Sequence, residues 1–244
     1  MPIEAHEANR RHWDQEALHW KQLRDRDQLW RRCPTEPEVA FTIVNVGYRS
    51  TNYWVVSAGT SRLLVDIGWP GTLGTMKASL ERMGVPLREI RYALATHYHM
   101  DHAGLAEELK REGVPLLVLD VQVEAIPVMK AWMKPADNYV EITPHGNVVI
   151  ACAESRPLLA QVGIAGEILP TPGHSDDSVS LLLDGGQVFT GDLPPPAVAF
   201  DNPVALATWR FLKEKGAIQV YPAHGPVWPL DGDFVGVVAR KGVV

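Results

Sequence analysis

The apolar positions change rhythm along the chain. Between residues 6 and 32, Trp13, Ala17, Trp20, Leu23 and Trp30 recur near helical spacing in a background of Arg, Asp, Gln and Glu, which predicts an amphipathic helix. Cys33-Pro34-Thr35-Glu36-Pro37 ends it, because proline lacks an amide donor and disfavours helix in the residue before it. From Val39 the pattern shortens to β-rich runs closed by glycine or polar turns, and VAFTIVNVG, TNYWVVSAG and SRLLVDIG read as successive hairpin-like strands.

TLGTMKASLERM (72–83) then reads as a helix and IRYALATH (90–97) as a buried strand. AGLAEELKREG is helical in pattern and stops at Gly113, and the apolar strand VPLLVLD follows. Residues 121–165 are less regular: a helix-like VQVEAIPVMKAWMK, a polar stretch from Pro135 to Tyr139, a strand near Val148–Ile150 and a short helix before Gly163. This stretch reads as an insertion over the site. GEILPTPG, SVSLLLD and QVFTGD restore the strand pattern, a helix covers Ala205–Lys215, and AIQVYPAHG supplies a last strand and loop. No repeat with a period of about 20 to 50 residues is present, although two β-rich halves with helices are.

Composition narrows the class. A chain of 244 residues can bury a full core as one domain with an appendage. The net charge of −6 lacks the broad attraction on which nucleic-acid binders depend. Cys33 and Cys152, the only cysteines, are too few for a stapled domain, are not spaced as a metal pair, and read as reduced thiols. The N-terminal MPIEAHEANRRHWDQEA lacks a signal-peptide core, and no apolar run approaches a membrane span, so the expectation is a cytoplasmic protein. The tryptophan stripe of residues 6–32 either packs on the body or forms a dimer contact.

The chemistry concentrates in Thr96-His97-Tyr98-His99-Met100-Asp101-His102, where three imidazoles and a carboxylate fall within six positions at the end of a buried strand. Imidazole nitrogen and carboxylate oxygen are the usual ligands of zinc and similar ions. His97 and His99, two apart, project alike if the strand continues, whereas Asp101 and His102 come as the chain turns into a helix, so two adjacent ligand sets are within reach. Further along, His174 follows Pro172-Gly173, Asp192 follows Gly191 and His224 precedes Gly225, each delivered by an apolar strand to a turn. Asp66 repeats the arrangement in Leu64-Val65-Asp66-Ile67-Gly68. His6, His12, His19 and His145 read as ordinary surface or core residues.

In its His-x-His-x-Asp-His signature, and in the later His, Asp and His in family order, the chain resembles the metallo-β-lactamase-fold hydrolases over about residues 39 to 228. The resemblance implies an α/β fold, a four-layer αβ/βα sandwich of two mixed β-sheets flanked by helices. It implies a catalytic domain over 39–244 behind a helical extension over 1–38. It also implies one metal held by His97, His99 and His174, a second held by Asp101, His102 and His224, and Asp192 bridging them. Asp66 matches the family aspartate that orients a ligand histidine. Two divalent ions, expected to be zinc with manganese or iron as alternatives, would share a hydroxide that attacks the substrate carbonyl, with Asp101 shuttling a proton or only coordinating.

Asp192 moves the expectation from β-lactams towards ester, thioester or lactone bonds, because true β-lactamases of this fold generally lack the bridging aspartate. Only twenty residues follow His224, which argues against a glutathione thioester, and no basic arm suggests an RNA substrate. Lactonases of the family carry a tyrosine near the bridging aspartate, and Leu193-Pro194-Pro195-Pro196 offers none. The expected substrate is a small apolar molecule, with Trp69, Trp132 and Tyr139 at the entrance. Phosphodiesterase, β-lactamase-like hydrolase, mononuclear iron persulfide dioxygenase and non-catalytic metal-binding module are the alternatives. Expected partners include neither nucleic acid nor a membrane, and a homodimer through the N-terminal helix remains open.

Overall fold

The computed structural model describes residues 41–230. The expected helix over residues 6–32, the extension 1–38, His6, His12, His19, Cys33 and the segment after residue 230 lie outside the described residues.

Two mixed sheets form the body. The first runs β1 (Thr42–Asn45), β2 (Trp54–Ala58), β3 (Ser61–Val65), β4 (Ile90–Leu94), β5 (Leu116–Leu119) and β6 (Asn147–Ile150). Its β1–β2–β3 portion is antiparallel and its β3–β4–β5–β6 portion is parallel. The second contains β7 (Gly166–Pro170), β8 (Val179–Leu183), β9 (Gln187–Gly191), β10 (Gln219–Pro222) and β11 (Trp228–Pro229), with β9 and β10 parallel and the other pairings antiparallel.

The continuous apolar runs have a structural cause: these strands are covered on both faces, so both side-chain directions need apolar residues. In β3, Leu64 enters the core on one face while Leu63 and Val65 enter the core between the sheets. In β5, Leu116 and Val118 separate from Leu117 and Leu119 in the same way. Leu181 and Leu183 of β8 face the same inter-sheet core, whereas Leu182 faces a third cluster.

Helices close the outer faces. Met76 and Leu80 of α1 (Leu73–Arg82), Ala103 of α2 (Met100–Ala103) and Leu109 of α3 (Ala106–Arg111) cover the first sheet. Met129 of α4 (Ala125–Trp132) belongs to the same cluster, and Leu159 of α5 (Ser155–Gln161) reaches the inter-sheet core. On the second sheet, Leu206, Trp209 and Leu212 of α6 (Pro203–Glu214) pack against Val188 and Val220. The α6 start lies at Pro203 rather than Ala205: Asn202 accepts the amide of Ala205 at 3.0 Å, and proline at the first position has no amide to leave unpaired.

The stretch 121–165 divides in two. β6 pairs in parallel with β5 and is integral to the first sheet, and α5 follows it, whereas α4 stands beside the ends of the strands. Lys110 anchors the return to β6, donating to the carbonyls of Thr143 and His145 at 2.6 and 2.9 Å and pairing with Glu107 at 2.8 Å. Cys152 is a free thiol whose burial pushes it up to about 11. No helix among the described residues is long and apolar enough to cross a membrane.

Candidate metal centre

Four chain segments bring seven imidazole and carboxylate groups together where strands of both sheets end. The first leaves β4 through Thr96 and turns into α2. His97 is buried, His99 immediately precedes α2, and Asp101 and His102 lie in that helix's first turn. A short helix explains the spacing, since it turns Asp101 and His102 away from the direction of His97 and His99.

The second segment carries His174 and is held by α6. Asn202 donates to the carbonyl of Gly173 at 2.7 Å and Thr208 to that of Pro172 at 2.6 Å. Gly173 has φ 144°, and a β-carbon there would meet Ala205, so α6 approaches too closely for any larger residue. The third segment ends β9 at Gly191, with φ 56°, and delivers Asp192. The fourth follows β10 and delivers His224, whose Nδ1 lies 2.8 Å from the carbonyl oxygen of Ser50, which fixes the ring and leaves Nε2 facing inward.

The side chains group into triads. His97, His99 and His174 form one, Asp101, His102 and His224 another, and His97, His102 and Asp192 a third that joins them, with all ligating atoms of each within 4.8 Å of one another. His97 Nε2 lies 3.0 Å from His99 Nδ1, and His174 Nε2 lies 3.2 Å from the same atom. Asp192 faces both sides: its Oδ2 is 3.7 Å from His174 and 3.4 Å from His102, and its Oδ1 is 3.2 Å from His224.

Asp66 stands behind the cluster in a left-handed conformation, φ 62°, which aspartate tolerates better than most residues. Its Oδ1 accepts the backbone amide and hydroxyl of Thr96, both at 2.8 Å, and its Oδ2 lies 3.1 Å from His102 Nδ1 without full hydrogen-bond alignment. It thereby ties the end of β3 to the turn that carries the histidines.

These residues suit divalent cations. Burial, reinforced by the surrounding imidazoles, holds His97 well below the usual imidazole value, and neutral imidazole is the ligating form. Burial also opposes charge on His102, yet Asp66 and Asp192 outweigh it and push this residue up to about 10. Two carboxylates close to one imidazole, Asp66 at 3.1 Å and Asp192 at 3.4 Å, give this side of the cluster a negative field that suits a cation. For Asp192, burial is outweighed by His102, His224 and His174, which keep the carboxyl below its ordinary value and ionised. His102 Nε2 and Asp192 Oδ1 are buried without a hydrogen-bond partner among the described residues, as expected of atoms whose partner is a metal.

Trp69 and Trp132 line a cavity of about 890 Å³ that also touches His99 and Asp101. Tyr139 is not among the cavity's lining residues: its hydroxyl accepts the amide of Ile142 at 3.2 Å and its ring packs on the first core. His145 is exposed and remote from the cluster, taking part through its backbone carbonyl.

Several supporting residues are not singled out by sequence reasoning. Thr51 donates to Asp101 Oδ2 at 2.9 Å. Asn52 donates to the carbonyls of Pro222 and Gly225, at 3.0 and 2.9 Å, and clamps the loop that carries His224. Asp177 accepts the amide of Tyr98 at 2.7 Å, and the fully buried Gln122 donates to the carbonyl of Ala95 at 2.9 Å. The available signals were slight: a Thr-Asn pair opening a strand, and two carboxylates just after His174.

Comparison with known proteins agrees with this geometry. The probable metallo-hydrolase of Methanocaldococcus jannaschii is 28% identical over 200 residues, covering 74% of this chain and 90% of its own. An atrochrysone carboxyl ACP thioesterase of Aspergillus fumigatus is 27% identical over 73% of this chain, which spans only 38% of that protein. The crystal structure of TTHA1623 in a di-iron-bound form shares the fold with a TM-score of 0.58, at 23% identity, over 82% of this chain and 98% of that one. The model of the metallo-beta-lactamase superfamily matches residues 46–224, which include every member of the cluster. With the two-sheet fold and the His/Asp cluster in place, the chain belongs to the metallo-β-lactamase superfamily of metallo-hydrolases.

Proposed function

We propose that this protein is a dinuclear metal-dependent hydrolase acting on an ester, thioester or lactone bond of a small apolar substrate, with residues 39–244 as its catalytic domain. The observation that carries the reading is Asp192, whose two oxygens face the histidines of both triads. In this reading His97, His99 and His174 would hold one ion and Asp101, His102 and His224 the other, with Asp192 available to both. The di-iron form of TTHA1623 supports two ions, and the thioesterase relative supports an acyl-transfer reaction to water. Imidazole and carboxylate accept zinc, manganese or iron, and zinc is the ion we propose.

Divalent ions so held supply Lewis acidity and bring the pKa of water towards neutrality. The chain's residues do the rest. Asp66 holds Thr96 and faces His102, keeping the turn from β4 into α2 in place. The Ser50 carbonyl sets the ring of His224, so Nε2 is the nitrogen turned to the cluster. Asp101 keeps Oδ2 on Thr51 and lines the cavity, and in this reading it holds a proton for the departing alcohol or thiol. Trp69, Trp132 and Met129 exclude water from the substrate's apolar part.

Chelation followed by elemental analysis and titration tests this. The chelated protein should lose hydrolysis of activated esters and thioesters and regain it with about two zinc equivalents per chain. Full activity in the metal-free preparation would overturn the proposal, as would recovery at one iron equivalent accompanied by oxygen uptake with a persulfide.

A further inference from the structure

The cavity beside His99 and Asp101 has a one-sided chemistry. Val128 and Trp132, four apart on α4, stand 57% and 78% exposed while lining it, although Met129 of the same helix is buried in the core. An exposed apolar helix face at a concave site marks a place where a ligand replaces water. Tyr98 is another part of the wall; it is 3% exposed, and its buried hydroxyl has no hydrogen-bond partner among the described residues. All the charged side chains in the wall apart from the cluster's own are carboxylates: Glu124, Asp176 and Asp177. Asp177 is tied to the amide of Tyr98, whereas Glu124 and Asp176 are exposed. No lysine or arginine is among the described residues that line the cavity.

We infer that this cavity takes the acyl arm of the substrate and that Glu124 and Asp176 in its wall set its charge preference, admitting a methyl or ammonium terminus and rejecting a carboxylate. The orientation, with the scissile carbonyl at the cluster and the arm along α4, rests on the hydrolase reading above. The charge selection follows from Coulomb repulsion near a surface of low polarity, where one carboxylate facing two others loses about tenfold in binding at low salt.

The test uses the full chain loaded with zinc and three 4-nitrophenyl hexanoates that end in methyl, ammonium or carboxylate. We expect kcat/KM for the carboxylate ester to lie about tenfold or more below the methyl ester, and the gap to narrow as salt screens it. The double variant Glu124→Gln/Asp176→Asn should bring the ratio close to one, and Val128→Asp should raise KM for the methyl ester. A carboxylate ester turned over as fast as the methyl ester, or a ratio unchanged in the double variant, would overturn the inference. Fluorescence titration of the same protein with dansyl amides of hexylamine and of 6-aminohexanoate reads the cavity without turnover. If all three esters resist hydrolysis while the neutral amide binds about tenfold more tightly than the anionic one, the hydrolase reading fails and the cavity assignment stands. Equal binding of the two amides, or none, removes the cavity assignment itself.

Discussion

Asp66 Oδ2 lies 3.1 Å from His102 Nδ1, and both side chains are almost completely buried. A carboxylate behind an imidazole fixes the ring's orientation and raises its basicity, which strengthens the ring as a ligand. Asp66→Asn keeps the shape and tolerates the left-handed backbone, but it removes the charge that favours a cation on the far side of His102. Zinc affinity, measured by competition with a chromophoric chelator, should fall about 10- to 100-fold while the melting transition stays cooperative. Unchanged affinity would show that Asp66 serves only the turn at Thr96.

The residues legible in the sequence are those whose signal is local. His97, His99, Asp101 and His102 crowd one turn, and His174, Asp192 and His224 each sit beside glycine or proline at a strand end. The two-faced burial of β5, and of Leu63-Leu64-Val65 in β3, is likewise written in unbroken apolar runs. Thr51 and Gln122 were silent because their roles depend on partners distant in sequence: Thr51 meets Asp101 fifty positions away, and Gln122 meets Ala95 across the sheet. Tyr139 is hard to orient from sequence for a related reason. An aromatic residue in an irregular stretch has no period to say which way it faces, and here it packs on the core. The sequence puts β6 in an insertion because its four residues give too short a pattern to announce pairing with β5.

Gly191 makes a prediction about folding and metal together. Its φ is 56°, and an added β-carbon would meet the hydroxyl of Thr96, the group that Asp66 holds. Gly191→Ala therefore strains the backbone by about 1–3 kcal/mol and pushes Asp192 and Thr96 apart. Thermal melting should show the loss, and elemental analysis should find fewer than two metal equivalents. A variant with normal melting and a full metal complement would contradict the close packing of β9 on Thr96.

Glu107 gives a pH dependence away from the cluster. Burial opposes ionisation of its carboxyl, but the Lys110 ammonium and the Thr143 amide, 2.9 Å away, outweigh burial and hold it below the usual glutamate value. A carboxyl depressed in the folded state contributes stability that is fully present above its unfolded value and lost as pH falls through the folded value. Glu107→Gln should therefore destabilise by about 1.5–3 kcal/mol near neutrality, the worth of a charged hydrogen bond. Its deficit relative to the parent should shrink in denaturant melts as pH drops through the acidic range. A deficit that stays constant with pH would mean that shape, rather than charge, matters at this position.

Thr51 decides how tightly Asp101 is held. Its hydroxyl donates to Oδ2 at 2.9 Å, the same oxygen that lies 3.5 Å from His102 and 3.4 Å from His224. Thr51→Val preserves volume and β-branching while removing that donor, so the carboxylate keeps its packing but loses one constraint on its orientation. If Asp101 holds a proton for the leaving group, kcat should fall about tenfold for an ester with a poor leaving group and little for an activated one, with metal content unchanged. If Asp101 only coordinates, the variant should lose affinity for one of the two ions, and both esters should slow alike until excess zinc restores them. Steady-state kinetics on the two esters, each repeated with added zinc, separate these outcomes, and a variant indistinguishable from the parent in every arm would show that the hydroxyl contributes to neither.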